Sequence, residues 1–191
     1  MIVSALLAAT LSASPSSQTP PITTRLGIGF PWSSLAVDAS SRSGLRIAVE
    51  AETALGRRWE SRLLVGKDWR VHRSLLLRSS LGTGWVIQGP SVPRQGVQLL
   101  ARIGASYQSA YSPFVVLDYR FLNGLRQLAI ESASGTRTEW VVTPYASILG
   151  QVGVRRAVSS TLEVEVRMIF GEIDAVFAIP GASLGLRWST S

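Results

Sequence analysis

The sequence predicts an all-β protein, folded as an antiparallel up-and-down transmembrane β-barrel of eight or ten strands. Most of the chain alternates between apolar and polar residues with a period of two, which separates the two faces of a strand. The cleanest alternating segments run about eleven residues, close to the length that a tilted strand needs to cross a bilayer. Aromatic residues recur at the ends of these segments, as they do at the membrane interfaces of such barrels.

The composition excludes several classes of protein and several kinds of site. The chain has 191 residues, of which 46% are hydrophobic, yet no apolar run approaches the roughly 20 residues of a spanning helix. It contains no cysteine, which excludes disulfides, thiol nucleophiles and cysteine-ligated zinc. The formal charge of +7 comes from basic residues scattered singly along the chain, so we expect no nucleic-acid partner. Without a phosphate-binding glycine motif, no cofactor is expected either.

The first residues are typical of a secretory signal. An apolar stretch from Ile2 to Leu11 is followed by small residues and then by Pro15, Pro20 and Pro21, which cannot continue a helix. We therefore assign residues 1–18 to a signal peptide, 19–24 to a short N-terminal segment and 25–191 to the barrel.

Eight segments alternate clearly, and they are 45–56, 59–69, 75–85, 97–107, 115–121, 140–154, 162–170 and 182–188. Two shorter stretches, 26–30 and 34–39, precede them and differ in phase across Pro31, Trp32 and Ser33. A hairpin there gives ten strands, whereas an N-terminal strap or plug gives eight. Both counts are even, as single-chain bacterial barrels require.

The polar face predicts a charged interior. Glycines and long paired side chains share this face, which suits a narrow lumen in which an isolated charge would be costly. The predicted ion network consists of Arg46, Glu50, Glu52, Arg62, Arg78, Arg102, Asp118, Arg120, Glu163, Glu165 and Arg167.

The apolar face predicts the membrane contacts. Amphipathic rings at strand ends favour the headgroup level and form girdles. The predicted girdle consists of Trp59, Trp69, Trp85, Tyr107, Phe121, Trp140, Phe170 and Trp188.

The last strand carries a family resemblance. Leu184, Leu186 and Trp188 alternate toward the lipid, which resembles the C-terminal signal of bacterial outer-membrane proteins. Over 25–188 the chain resembles, in pattern, the small outer-membrane barrels of the OmpA and OmpX type. The resemblance implies residence in the bacterial outer membrane and the barrel-assembly machinery as a partner during biogenesis.

Segment lengths predict the topology. Short links at 41–43, 70–73, 108–112 and 155–160 are expected in the periplasm, and longer ones at 86–96, 123–139 and 171–177 outside. Because the segment 123–139 contains 128–131 and 136–139, its hairpin is expected to extend above the membrane. The link 55–58 is the exception, because this topology places it on the outer side although it is short. Outer-membrane lipid is an expected partner, and lipopolysaccharide phosphates are candidate ligands of the predicted outer-loop arginines, which are Arg57, Arg58, Arg94, Arg126 and Arg137.

Candidate chemistry is sparse. Glu50/Glu52 and Glu163/Glu165 are carboxylate pairs at acid–base spacing, but a lumen ion network explains them better. His72, the single histidine, lies in a predicted periplasmic turn, away from any acid–serine arrangement. Catalytic, cofactor and metal sites are therefore not assigned.

Three functional hypotheses follow. The first is a non-enzymatic barrel with a structural or surface-interaction role, because a barrel of eight to ten strands has an interior that is filled by side chains or barely large enough for a small ligand. Such an interior excludes a wide porin and leaves a narrow pore or a small-molecule binder as open alternatives. The second is an outer-membrane enzyme acting on lipid or peptide, which substitution of His72, Glu163 or Glu165 should inactivate. The third is a secreted lipocalin-like carrier, distinguished by solubility without detergent.

Overall fold

We describe the protein from a computed structural model. The described residues are 21–54, 58–89, 94–132, 135–173, 177–178 and 181–190. The predicted signal peptide and its cleavage zone lie outside them. No helix among the described residues has the length and apolar character needed to cross a membrane.

Eleven strands occur in the part of the chain that the structure describes. In chain order they are β1 (Ile22–Phe30), β2 (Trp32–Ser40), β3 (Leu45–Ala54), β4 (Arg58–Arg70), β5 (Leu75–Gln88), β6 (Arg94–Tyr107), β7 (Tyr111–Ser132), β8 (Gly135–Ala157), β9 (Leu162–Ile173), β10 (Phe177–Ala178) and β11 (Gly181–Ser189).

Ten of these strands form a closed, all-antiparallel wall. Each strand from β1 to β9 pairs with the next, β9 pairs with β11, and β11 pairs with β1 to close the ring. The short β10 pairs only with the end of β9. The structure therefore selects ten strands: the stretches 26–30 and 34–39 lie in β1 and β2. β1 already begins at Ile22, before the predicted barrel start at residue 25.

The two faces of the wall differ in chemistry. Outward-facing positions carry large exposed apolar side chains, such as Leu81, which is 70% exposed near the middle of β5. Inward-facing positions carry buried arginines, carboxylates and small residues. The predicted assignment of apolar faces to the exterior thus matches the structure, strand by strand.

All eight predicted girdle residues are exposed on the exterior. Trp69, Tyr107 and Trp188 lie beside the inner end of the barrel, which we define by the short turns at 41–44, 71–74, 108–110 and 158–161. Trp59, Trp85, Phe121 and Phe170 lie toward the opposite, outer end. Trp140 is displaced from both levels, because it pairs with Gln127 on a hairpin that continues beyond the wall.

The β7–β8 hairpin is much longer than its neighbours. β7 has 22 residues and β8 has 23, whereas β9 has 12. At roughly 3.4 Å per residue, the difference from β9 corresponds to about 35 Å of extra strand. The prediction of a long loop at 86–96 is wrong over most of its residues, because β5 runs to Gln88 and β6 starts at Arg94. Over 123–139 the strands of β7 and β8 pair up to Ser132 and Gly135, so the expected extension of this hairpin beyond the wall is what the structure has.

Candidate functional site: the charged lumen

The centre of the lumen is crossed by Arg102. From β6, its Nη1 and Nη2 donate to the Glu50 carboxylate on β3 at 2.6 and 3.0 Å. Its Nε and Nη2 also donate to Asp118 on neighbouring β7 at 2.6 and 2.9 Å. One guanidinium therefore joins two buried carboxylates that stand on different sides of the barrel.

Arg62 joins three carboxylates on two adjacent strands. Its Nε and Nη2 donate to Glu60 at 2.9 and 2.6 Å, and its Nη1 donates to Glu50 at 3.4 Å. Nη2 also donates to Glu52. Period-two spacing places Glu60 and Arg62 on the same face of β4, so they share one region of the lumen.

Arg120 makes the second crossing of the lumen. From β7 its Nη1 donates to Glu60 on β4 at 3.2 Å, and its Nη2 donates to Asp118 at 3.2 Å. Glu60 also accepts from Arg58 Nε at 2.5 Å. Glu60 is thus bonded by three arginines, which compensates the cost of burying its charge.

A separate set of contacts lies on the β8–β9 side. Arg167 donates to Ser183, Gln151 and, across the lumen, Ser34, at 3.0, 3.1 and 3.1 Å. Arg155 Nε donates to Glu165 at 2.7 Å. These bonds join side chains of β9 to those of β8, β11 and β2 inside the barrel.

The inner end of the lumen holds three further ion pairs. Arg46 binds Asp38 in a bidentate manner at 3.2 and 3.1 Å, and Arg78 binds Asp68 at 2.7 and 2.7 Å. Arg187 Nη1 lies 3.0 Å from Glu163 Oε2. A polar cavity of about 180 Å³ is lined by members of all three pairs.

Apolar side chains fill two further parts of the interior. Trp32, only 2% exposed, packs with Leu149 and Ile169 at the outer end. Ala48, Leu64 and Leu100 form a second buried cluster. The sequence analysis placed Trp32 in a turn, but its side chain fills the interior because Trp32 starts β2 facing inward.

Together these groups leave little free volume in the central section. The space among Arg25, Glu50, Arg62, Arg102 and Arg167 measures about 10 Å³. One water molecule needs roughly 10–15 Å³ of such volume. The central lumen is therefore packed with bonded side chains.

The structure places all eleven predicted network residues on inward-facing positions but divides them. Six of them form the central cluster, and these are Glu50, Glu52, Arg62, Arg102, Asp118 and Arg120. Arg46 and Arg78 instead pair with Asp38 and Asp68 at the inner end. Glu163 and Glu165 bind different arginines, so they do not act as one carboxylate pair.

Several lumen residues were missed from the sequence. Glu60 and Arg187 lie on polar faces already recognised, and strand phase alone identifies them. Arg25 and Arg155 were missed because β1 starts before the predicted stretch 26–30 and β8 continues into the predicted link 155–160. The prediction that Arg58 and Arg94 lie in outer loops is wrong, because both are buried inward-facing strand residues. Arg126 and Arg137 lie on β7 and β8, and Arg57 lies outside the described residues.

The remaining candidates for chemistry are far from a catalytic arrangement. His72 lies in an exposed inner turn, where its Nδ1 accepts from Ser74 N at 3.4 Å. Among the described residues no group of three or more histidine and carboxylate side chains is placed to hold a metal ion.

The exterior and interior together define the class of protein. A soluble barrel turns its apolar face inward, whereas this wall turns apolar side chains outward and buries its charges. Its backbone groups are paired around the ring, which is the condition for crossing hydrocarbon with strands. The chain is therefore a transmembrane β-barrel, the architecture of bacterial outer-membrane proteins.

No family model matches the chain, and no curated protein matches it by sequence. Among solved structures it is similar to the NanC porin, with 8% identity, a TM-score of 0.49 and coverage of 89% of this chain and 99% of that chain. It is also similar to Neisserial surface protein A, with 14% identity, a TM-score of 0.34 and coverage of 88% of this chain and 95% of that chain. A third similar structure is outer membrane phospholipase A from Escherichia coli, with 10% identity, a TM-score of 0.37 and coverage of 97% of this chain and 96% of that chain. At these identities and TM-scores the likenesses carry no argument about what this chain does.

Proposed function

We propose that this protein is a non-enzymatic, sealed outer-membrane barrel that acts at the cell surface through its β7–β8 hairpin. The observation that carries the proposal is the packed central lumen. Arg102 and Arg120 cross it, and the space beside them measures about 10 Å³. An interior packed in this way at its centre suits a sealed barrel better than a transport channel.

The hairpin supplies the second part of the argument. Beyond Arg126, β7 has no β6 partner, and beyond Leu149, β8 has no β9 partner in the described pairings. Both faces of this segment are largely exposed, and Ile130, Trp140 and Val142 are apolar. An ordered, exposed hairpin with apolar side chains suits contact with another surface.

The enzyme alternative finds little support in the geometry. Glu163 and Glu165 each bind an arginine, and His72 is remote from both in an exposed turn. Lipopolysaccharide and the barrel-assembly machinery stay predicted partners. Of the arginines proposed for lipopolysaccharide, Arg137 on the hairpin is the exposed one that still suits that role.

Conductance across planar bilayers tests the sealed lumen. The purified barrel should produce no reproducible current steps under conditions in which a known porin does. Stable single-channel steps would overturn the proposal of a sealed barrel.

A shortened hairpin tests the surface role. Arg126 and Val141 are directly paired, so residues 127–140 can be replaced by Asn-Gly, the preferred two-residue turn. This variant should still show heat-modifiable mobility but should fail to complement the phenotype of a deletion strain. Full complementation by the shortened variant would contradict the proposed role.

Single cysteines verify which end is outside, because the chain has none of its own. Ala129→Cys on the hairpin should react with an impermeant maleimide on intact cells. Ser159→Cys, in an inner turn, is the matched control and should react only after the outer membrane is permeabilised.

A further inference from the structure

The β7–β8 hairpin has one long open strand edge. Among the described pairings, β8 meets β9 only from Leu149 onward, so residues 136–143, on the tip side of Pro144, have a strand partner on the β7 side alone. The other open edge of the hairpin, on β7, covers only residues 127–132. An open strand edge presents backbone N–H and C=O groups that can pair with a further strand. The β8 edge is therefore the larger surface for such pairing.

The projecting part of the hairpin is a two-stranded ribbon. Arg126 is the last β7 residue that pairs with β6, and it also pairs with Val141 on β8, so 127–132 and 135–140 continue beyond β6 as two strands. Most of their described side chains are exposed. Because a hairpin of two strands is at best marginally stable in water, added strands at the β8 edge would stabilise this one.

The sequence of the β8 edge is complementary to itself in charge. Arg137 and Glu139 lie on one face of the strand, with Arg137 Nε 3.1 Å from Glu139 Oε1, and their side chains are 79% and 40% exposed. If two β8 edges pair in antiparallel fashion about Thr138, Arg137 of each copy is directly opposite Glu139 of the other. The four charges then alternate in sign, and opposite charges directly across a strand pair are stabilising.

The opposite face of the same register is also complementary. Thr138 is opposite Thr138 of the second copy, and Thr136 is opposite Trp140. Pairs of threonines and pairs of an aromatic with a β-branched residue are both favourable across strands. Moving the centre of the register by one residue in either direction would instead place Arg137 against Arg137 or Glu139 against Glu139, which is destabilising.

The charges also distinguish two ways in which copies could approach. Copies side by side in one membrane have parallel β8 strands, and twofold symmetry then brings Arg137 beside Arg137 and Glu139 beside Glu139. The antiparallel register requires hairpins that point in opposite directions, which is how two facing membranes present them. Its paired residues, 136–140, all lie on the tip side of the last residue level that β6 reaches, so the two walls do not have to touch.

We propose that the β8 edge of the hairpin pairs with the β8 edge of a second copy of this chain in a facing membrane, in the antiparallel register centred on Thr138. The product is a four-stranded sheet, in the order β7–β8–β8–β7, between two barrels. This inference rests on the proposed surface role of the hairpin and specifies its partner.

Sedimentation velocity of barrels in lipid nanodiscs, with one barrel in each disc, tests the contact. Wild-type discs should pair reversibly, and discs that carry the shortened hairpin should stay single. Arg137→Glu and Glu139→Arg should each weaken self-association by about tenfold or more, because two attractive charge pairs become repulsive. Mixing the two variants should restore pairing, because each charge at these positions then meets an opposite charge on the other copy.

The matched control for charge is Glu131→Arg. Glu131 is exposed on β7, on the side of the hairpin away from the proposed contact, and its replacement changes the net charge as much as Glu139→Arg does. Discs with this variant should associate as the wild type does. A heat-modifiability gel confirms that each variant barrel is folded.

A single cysteine tests the register, because the chain has no cysteine of its own. Thr138→Cys should form a disulfide-linked dimer on mild oxidation, since Thr138 is opposite its own copy. Ala129→Cys is the matched control: Ala129 is exposed and pairs with Thr138 inside the hairpin, so it lies one strand away from the contact and should stay monomeric.

Three results would overturn the proposal: wild-type discs that stay single, association that persists with the shortened hairpin, or a loss in the single variants that mixing does not restore. These results are separate from those that test the proposed function. If the shortened hairpin fails to complement a deletion strain while wild-type discs stay single, the surface role stands and self-pairing is wrong.

Discussion

Arg102 on β6 and Glu50 on β3 are joined by two hydrogen bonds, of 2.6 and 3.0 Å, that cross the barrel interior. Two strands, β4 and β5, lie between them in the wall, so these bonds link parts of the ring that no backbone pairing joins directly. The same guanidinium binds Asp118 on β7. The Arg102 guanidinium therefore links three strands across the interior. Its loss should lower the stability of the whole barrel.

Replacing Arg102 by methionine should lower the free energy of unfolding by about 3–5 kcal/mol, because Glu50 and Asp118 would remain buried without their main partner. Urea unfolding in detergent or lipid vesicles measures the change. Adding Glu50→Gln and Asp118→Asn to Arg102→Met should recover part of the loss, since the buried charges then disappear.

The matched control for Arg102 is Arg137→Ala. Arg137 is 79% exposed in its pair with Glu139, and exposed pairs contribute little. Its loss should change the unfolding free energy by less than about 0.5 kcal/mol. Equal effects of the two arginine substitutions would contradict the role assigned to the cross-barrel bond.

Trp32→Ala should cost about 3–5 kcal/mol, because it removes a large ring that is 2% exposed and packed against Leu149 and Ile169. Unfolding followed by the remaining tryptophan fluorescence measures the loss. Trp59→Ala, on the exposed exterior, should cost less. A larger loss at Trp59 would mean that the outer end is held by the lipid interface rather than by this cluster.

Much of the barrel could be predicted from alternation, because a period of two assigns each side chain to one face without knowledge of neighbouring strands. That is why Leu81 and Arg102 were placed correctly. Register is set by partners distant in sequence, so which carboxylate Arg102 would bind was not predictable. Arg58 and Arg94 were misassigned for another reason: they stand next to turn residues, and strand ends have no local signal as distinct as the alternation itself.

Leu81→Arg should destabilise the barrel by roughly 2–4 kcal/mol, because it puts a charge on the lipid-facing side near the middle of a membrane strand. Folding into lipid vesicles at increasing urea measures the change. Val158→Arg is the control: Val158 is 62% exposed, but in an inner turn, where water solvates the charge. A neutral result at Leu81 would contradict its placement in hydrocarbon, since an exposed residue of a soluble barrel would tolerate arginine.

Gly44→Ala should destabilise the barrel by about 1–2 kcal/mol, because Gly44 has a φ of +83° that side-chain-bearing residues adopt at a cost. A Cβ there would also lie 2.4 Å from the Asp68 carbonyl oxygen, so the β2–β3 turn would have to move. Gly89→Ala is the matched control, since a Cβ at Gly89 meets nothing within 4 Å. The midpoint of urea unfolding should fall for Gly44→Ala and stay within error for Gly89→Ala. Equal midpoints would show that the turn relaxes freely, and that the inner end of the barrel is held by the Asp38–Arg46 and Asp68–Arg78 pairs rather than by turn geometry.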